Sequence, residues 1–188
     1  MKVSREQAER NRAAVVDAAS RLFRSQGVEG AGIATIMAES GLTHGGFYKQ
    51  FGSKEALAAE ACARSLGRGA DRWRSIARQA SDKAPEKMLE AIAADYLSPR
   101  NRDMPEQGCA LIALGTDAAR KGGAIADAYR EGMEALAAIL EGAGAPRAQA
   151  LARLSQMVGA MVLARAVKDE ALSEEIMAAS RSAMRATG

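Results

Sequence analysis

Residues Ile33 to Leu57 read IATIMAESGLTHGGFYKQFGSKEAL, and this stretch decides the fold. Ile33, Ile36, Met37 and Ser40 recur at helical spacing, which predicts a short helix with one apolar face. Gly41 supplies the left-handed residue that commonly stops a helix, with Leu42 turned inward behind it. Thr43 is placed to cap a second helix whose inward face is Phe47 and Phe51. Gly52 ends that helix, and Ser53-Lys54-Glu55 starts a third with a capping serine. Spacing alone is met equally by an ordinary helical hairpin. Two short helices around a Gly-containing turn, the second small and partly polar, also match a DNA-binding helix-turn-helix.

The residue identities separate the two. Thr43 to Leu57, THGGFYKQFGSKEAL, resembles the recognition helix and following helix start of TetR-type transcriptional repressors. The resemblance runs back through Leu22-Phe23 and Ala13 to Ala19, and covers about the first 60 residues. It implies an all-α protein in which residues 1–52 form a helix-turn-helix DNA-binding domain. Residues 53–188 would then form a helical ligand-binding and dimerisation domain, joined to the first by a helix from 53 to about 80.

Composition agrees with an all-α chain. Alanine is abundant, aromatics are 4% of the 188 residues, and no Val/Ile/Thr/Tyr alternation predicts a strand. Net charge is +3, which permits a polyanionic partner without requiring one. No run of about 18 apolar residues predicts a membrane span. The first residues lack an apolar signal core, so a cytoplasmic location is expected. Cys62 and Cys109 form no CxxC pair, and a structural disulfide is not expected there.

In chain order, Val15, Ala18, Ala19, Leu22 and Phe23 form a helical stripe that ends near Gly27. Over the first 24 residues Lys2, Arg5, Arg10, Arg12, Arg21 and Arg24 outnumber Glu6, Glu9 and Asp17 by three. They form either an arm on DNA phosphates or a solvated face. TetR-type chains commonly open the next helix with Thr or Ser. This chain has Ala31-Gly32 there, so a phosphate contact at that point must come from backbone N–H groups.

The expected DNA-binding residues are Thr43, His44, Gly45, Tyr48, Lys49 and Lys54. Thr43 and His44 stand at the helix end that meets base edges, and His44 is read either as a contact or as a plain surface residue. Gly45 and Gly46 each cost about 1 kcal/mol relative to Ala in a helix, which suggests close backbone approach to DNA or to the first helix. Tyr48 offers a ring and a hydroxyl, and Lys49 the same outer surface. Lys54 is similar to the family lysine that grips the DNA backbone. With one full charge on the recognition helix, useful affinity for double-stranded operator DNA needs two copies in a dimer.

Beyond residue 53 a long helix runs to about Gln79, and its stretch Arg64 to Lys83 reads as a solvated basic face. The segment 81–85 is a boundary, with Pro85 at a helix start. Ser98 to Gln107 reads as a loop, and Gly108-Cys109 opens a nearly apolar helix. Three further helices bring the total to about nine. The chain has no Ser/His/Asp set, no Gly-rich nucleotide loop and one histidine, so neither an enzyme, a cofactor nor a metal site is expected.

The resemblance implies a homodimer through the two C-terminal helices, Pro146 to Val167 and Leu172 to Arg185, and an unidentified small-molecule effector. Residues expected around a pocket are Trp73, Met88, Tyr96, Cys109, Leu111, Ile112, Tyr129, Met133, Met157 and Met161. Their methionines suit varied apolar ligands, although such residues equally build plain core. Cys109, at a helix start, is a possible redox sensor with a lowered thiol pKa, or else a small core hydrophobe. The function implied is a repressor released from a palindromic operator by an effector or by modification of Cys109. The alternative is a helical small-molecule sensor that acts without DNA.

Overall fold

The computed structural model describes residues 4–80 and 85–186. The sequence boundary at residues 81–84, with Lys83, and the N-terminal Lys2 lie outside the described residues.

The helix-turn-helix is built from α1 (Arg5–Gly30), α2 (Ile33–Glu39) and α3 (Phe47–Phe51). Helix α1 starts on Ser4, whose side chain accepts from the Gln7 N–H at 3.2 Å. Its long first part breaks at Gly27, where the pattern places the end of the helical stripe. Gly27 takes φ 74° and ψ 169°, and one further helical turn follows to Gly30. Val28, fully buried, explains that turn: its side chain belongs to the core, so the chain bends at Gly27 instead of leaving.

Gly41 has φ 73°, and the Leu42 N–H reaches back to the Met37 carbonyl at 2.9 Å, which closes α2 as the sequence predicts. The next segment differs. His44–Gly46 forms a 3-10 turn that leads into α3, and Thr43 precedes it in extended conformation without a side-chain cap bond. Two glycines in succession favour α-helix too weakly to hold the first turn, so regular helix begins only at the buried Phe47. Phe47 and Phe51 pack with ring centroids 5.6 Å apart.

Helix α4 (Lys54–Gln79) starts on Ser53, which accepts from the Ala56 N–H at 3.0 Å. It is the spine, packing on α1 at one end and on α8 (Gly123–Gly142) along its length. Helix α5 (Pro85–Tyr96) follows. The expected loop from Ser98 to Gln107 is instead a one-turn helix, α6 (Pro99–Asp103), and a 3-10 turn over Pro105–Gln107. Ser98 caps it, accepting from Asn101 N–H at 3.4 Å, with Pro99 at its first position.

Helices α7 (Ala110–Lys121), α8 (Gly123–Gly142), α9 (Arg147–Ala166) and α10 (Glu170–Ala186) complete the body. Apart from the one-turn α6, nine α-helices are present among the described residues, with no strand. Helix α8 lies close on α4 because Gly132 has no side chain: a Cβ there would stand 2.3 Å from Leu66 Cδ1 and 2.5 Å from Leu66 Cβ. One connected apolar core runs from Val15 through Leu57, Trp73 and Leu114 to Met177.

Candidate nucleic-acid interface and internal cavity

Phe47 and Phe51 anchor the short helix α3 by its inner face, and this anchoring leaves the rest of the turn in solvent. Thr43, His44, Gly45, Tyr48 and Lys49 are all exposed, Tyr48 to 61%. The Tyr48 ring meets Phe47 edge-on at 5.1 Å and His44 at 6.4 Å, so aromatic packing orients it on the outer surface. A Cβ at Gly45 would meet nothing within 4 Å, and at Gly46 only Gln50 Nε2 at 3.8 Å. The close approach that two glycines suggest is therefore not made to the protein's own first helix.

Lys54 lies apart from this group, at the start of α4. Its ammonium donates to the Glu29 carbonyl at the end of α1, at 3.4 Å. Glu29 in turn pairs with Lys121 of α7, and Lys121 and Lys54 together hold its carboxyl below the usual range.

The basic N-terminal residues divide into three groups. Arg5 and Arg10 make exposed pairs with Glu9 and Glu6, of a kind that is weak in water. Arg12 pairs with Glu60 and lies 4.7 Å over the Phe51 ring, so it fixes α3 against α1 and α4. Arg24, counted with the basic arm in the sequence, points inward and is buried. Arg64 and Arg68, read as part of a solvated face, both donate to Asp17 Oδ1 at 2.9 Å and tie α4 to α1.

Arg24 leads to a half-open cavity of about 370 Å³ lined by α1, α4, α5, α6, the start of α7 and α8. Leu66, Trp73, Tyr96 and Leu136 give it an apolar side. Arg24, Arg68, Arg72 and Arg100 give it a strongly basic one, with Asp95 as the lining carboxylate.

Of the pocket residues expected from sequence, Trp73, Tyr96 and Cys109 line this cavity. Met157 lines a separate cleft of about 60 Å³ beside Arg153 and Arg181. Met88, Leu111, Ile112, Tyr129, Met133 and Met161 line neither and belong to the core or pack against it. Tyr129 is used to join helices: its hydroxyl donates to the Leu111 carbonyl at 2.9 Å, over Gly115. The arginines were missed because an Arg on an amphipathic helix reads as surface. The signal available was Arg24 itself, which falls on the same helical stripe as Ala13, Ser20 and Phe23.

Cys109 sits immediately before α7, with its sulfur in reach of the Leu111 and Ile112 N–H groups. Burial nevertheless pushes the thiol pKa up. The Tyr96 hydroxyl, those two amides and Arg165 act the other way with less effect. This corrects the expected lowering: desolvation of a thiolate outweighs the dipole of one helix start. Cys62, buried near it, is pushed up to about 12, and both cysteines are free. Among the described residues no cluster of His, Cys, Asp and Glu is placed to hold a metal, and no helix is long and apolar enough to cross a membrane.

A short helix presented on an aromatic base after a tight glycine turn defines a helix-turn-helix protein, here fused to a helical body with an internal cavity. Residues 15–61 match the sequence profile of bacterial regulatory proteins of the tetR family. It is 32% identical over 76 residues to an uncharacterized HTH-type transcriptional regulator, YerO, of Bacillus subtilis strain 168. That match covers 40% of this chain and about a quarter of YerO, 26%.

Solved structures extend the likeness in fold over the whole chain. The reduced form of NemR from E. coli superposes with a TM-score of 0.80 at 18% identity, over 93% of this chain and 94% of NemR. A TetR-family regulator from Cytophaga hutchinsonii gives 0.78 at 18% identity, over 100% and 98% of the two chains. A TetR regulator from Legionella pneumophila gives 0.78 at 17%, over 100% and 99%.

Proposed function

We propose that this chain is a ligand-responsive transcriptional repressor that binds a palindromic operator as a homodimer. The observation that carries the reading is the exposed set Thr43, His44, Gly45, Tyr48 and Lys49 on a helix whose opposite face is buried. Exposed donors at the start of such a helix suit base edges in a major groove, and Tyr48 and Lys49 suit the flanking phosphates. Lys54, apart from this set at the start of α4, supplies a further phosphate contact in this reading.

Two copies are supported by the C-terminal helices. Gly159, Val162, Leu163 and Ala166 on α9, with Leu172, Glu175 and Ala179 on α10, form an exposed strip of mostly small and apolar residues. Val162, Leu163 and Leu172 are the large apolar side chains left most open there, at 44%, 56% and 45%. Pairing of α9 and α10 with their counterparts removes this surface from water.

The cavity is the effector site in this reading. It touches α1 at Arg24, whereas α7 touches α1 at Val28 and Glu29. An effector with greater affinity for one arrangement of α4 and α7 shifts the helix-turn-helix and changes the spacing of the two recognition helices. Modification of Cys109 acts at the same place, as its sulfur adds to an electrophile and loses its proton to solvent.

The test is binding of the purified protein to its own upstream intergenic DNA, with and without a thiol-reactive electrophile. Binding that falls steeply with salt supports the DNA reading, since phosphate contacts release counterions. Salt-independent or absent binding to all such DNA favours a sensor that acts without DNA.

A further inference from the structure

We propose that the internal cavity is built for a small organic acid, its carboxylate held by Arg24 and Arg100 and its apolar body set against Trp73 and Tyr96. The proposal rests on the reading of this cavity as the effector site and gives its ligand a chemical class.

The arginines around the cavity are of two kinds. Arg68 and Arg72 already have carboxylates, Asp17 and Asp95. Among the described residues, Arg24, Arg100 and Arg165 hydrogen-bond only to neutral acceptors. Arg24 donates to Ser65 Oγ at 3.0 Å and to the Glu106 carbonyl, Arg100 to Gln107 Oε1 at 3.2 Å, and Arg165 to the Asn101 carbonyl. Arg24 and Arg100 thus donate to consecutive residues of one turn, Glu106 and Gln107, and both line the cavity.

Burial sharpens the point. Arg24 is 9% exposed and Tyr96 is 4% exposed. Arg24 Nε, Arg165 Nε and the Tyr96 hydroxyl are shut from solvent without a hydrogen-bond partner of good geometry. The Tyr96 hydroxyl has the Cys109 thiol as a neighbour, a weak partner at best. Burial pulls the Arg24 and Arg165 pKa values down, and the charge of the nearby Glu106 carboxylate offsets this only in part. Guanidinium groups remain charged in proteins, so an anion must relieve this, and the planar fork fits a carboxylate. A volume near 370 Å³ with Leu66, Trp73 and Leu136 on the other side suits an aryl-sized body.

Trp73 is the single tryptophan of the chain and lines the cavity, so its fluorescence reports occupancy directly. Full-length protein is titrated with benzoate, phenylacetate and 3-phenylpropionate, with the corresponding neutral amides, and with inorganic phosphate. At least one acid should give a saturable change, with its amide roughly tenfold weaker or more. R100Q, at an exposed position, should lose about that factor for the acid and little for the amide. R24Q should do the same, provided its circular dichroism matches the parent.

Equal affinity of acid and amide, or acid binding unaffected by R100Q, overturns the organic-acid proposal and leaves the effector site standing. Phosphate that binds as tightly as every acid overturns the role of the apolar body. No saturable response to any acid overturns the proposal, and if the amides are silent as well, the effector reading of the cavity falls with it.

Discussion

The Asp117 carboxylate of α7 accepts the Val28 N–H at 3.0 Å, directly after the break in α1 at Gly27. This bond joins the helical body to the end of the helix on which the helix-turn-helix is assembled. Lys121, one turn further along α7, makes a second link to Glu29. Substituting Asp117 with Ala strands the Val28 donor next to the core and should lower stability by about 1–3 kcal/mol. Urea unfolding should show a lower midpoint at unchanged slope, and Asp117→Asn, which retains an acceptor oxygen, should lose less. An unchanged midpoint for the Ala variant would remove this bond from the list of structural links.

DNA contact by the exposed turn is tested at Tyr48 and Lys54. Tyr48→Ala and Lys54→Ala should each weaken operator binding while helix content stays at the parental level, because neither side chain is part of the core. A phosphate role for Lys54 further predicts that its loss lowers the salt dependence of binding by about one ion. Lys54→Ala also removes a bond to the Glu29 carbonyl, so unfolding must be measured alongside. Full affinity in both variants would contradict the assigned contacts.

Association through α9 and α10 is tested at Leu163, which is 56% exposed in the single chain. Leu163→Asp costs the isolated subunit little, since the side chain already meets water. In a paired interface it buries a charge without a partner, which is strongly unfavourable. Light scattering should then report a monomer at concentrations where the parent is a dimer, with operator binding reduced in parallel. A parental mass for the variant would place the interface elsewhere.

The half-buried Cys109 has a pH signature. Its pKa lies above the ordinary thiol value, so the reactive thiolate is scarce near neutrality. Alkylation of Cys109 by iodoacetamide should be slower at pH 7 than that of free cysteine. It should rise about tenfold per pH unit up to the raised pKa, as only the thiolate reacts. Mass spectrometry of the modified site checks this, and a fast rate independent of pH between 7 and 9 would show a thiolate already present. Cys62, fully buried, should react more slowly still.

The helix-turn-helix was legible in sequence because its signals are local. Gly41 stops a helix by its own conformational freedom, Ser53 caps one by reaching its own third neighbour, and Phe47 and Phe51 show an apolar face by spacing alone. Where local signals conflicted, tertiary packing decided. Val28 draws α1 past Gly27 into the core, and Ser98-Pro99 begins a helix within a run of charges that reads as loop.

The sequence by itself determined the all-α architecture, the position of the recognition turn and which of its residues face outward, since periodicity and turn chemistry depend on nearest neighbours. Only the tertiary structure decided where the charges go. Arg24 looks like a surface residue in the sequence, and helices distant in the chain gather it with Tyr96 and Cys109 around one cavity. Charge is long-ranged and its cost depends on burial, which no local pattern records. For the same reason the Cys109 thiol moves upward, because desolvation by the surrounding helices outweighs the dipole of the one helix that the sequence reveals.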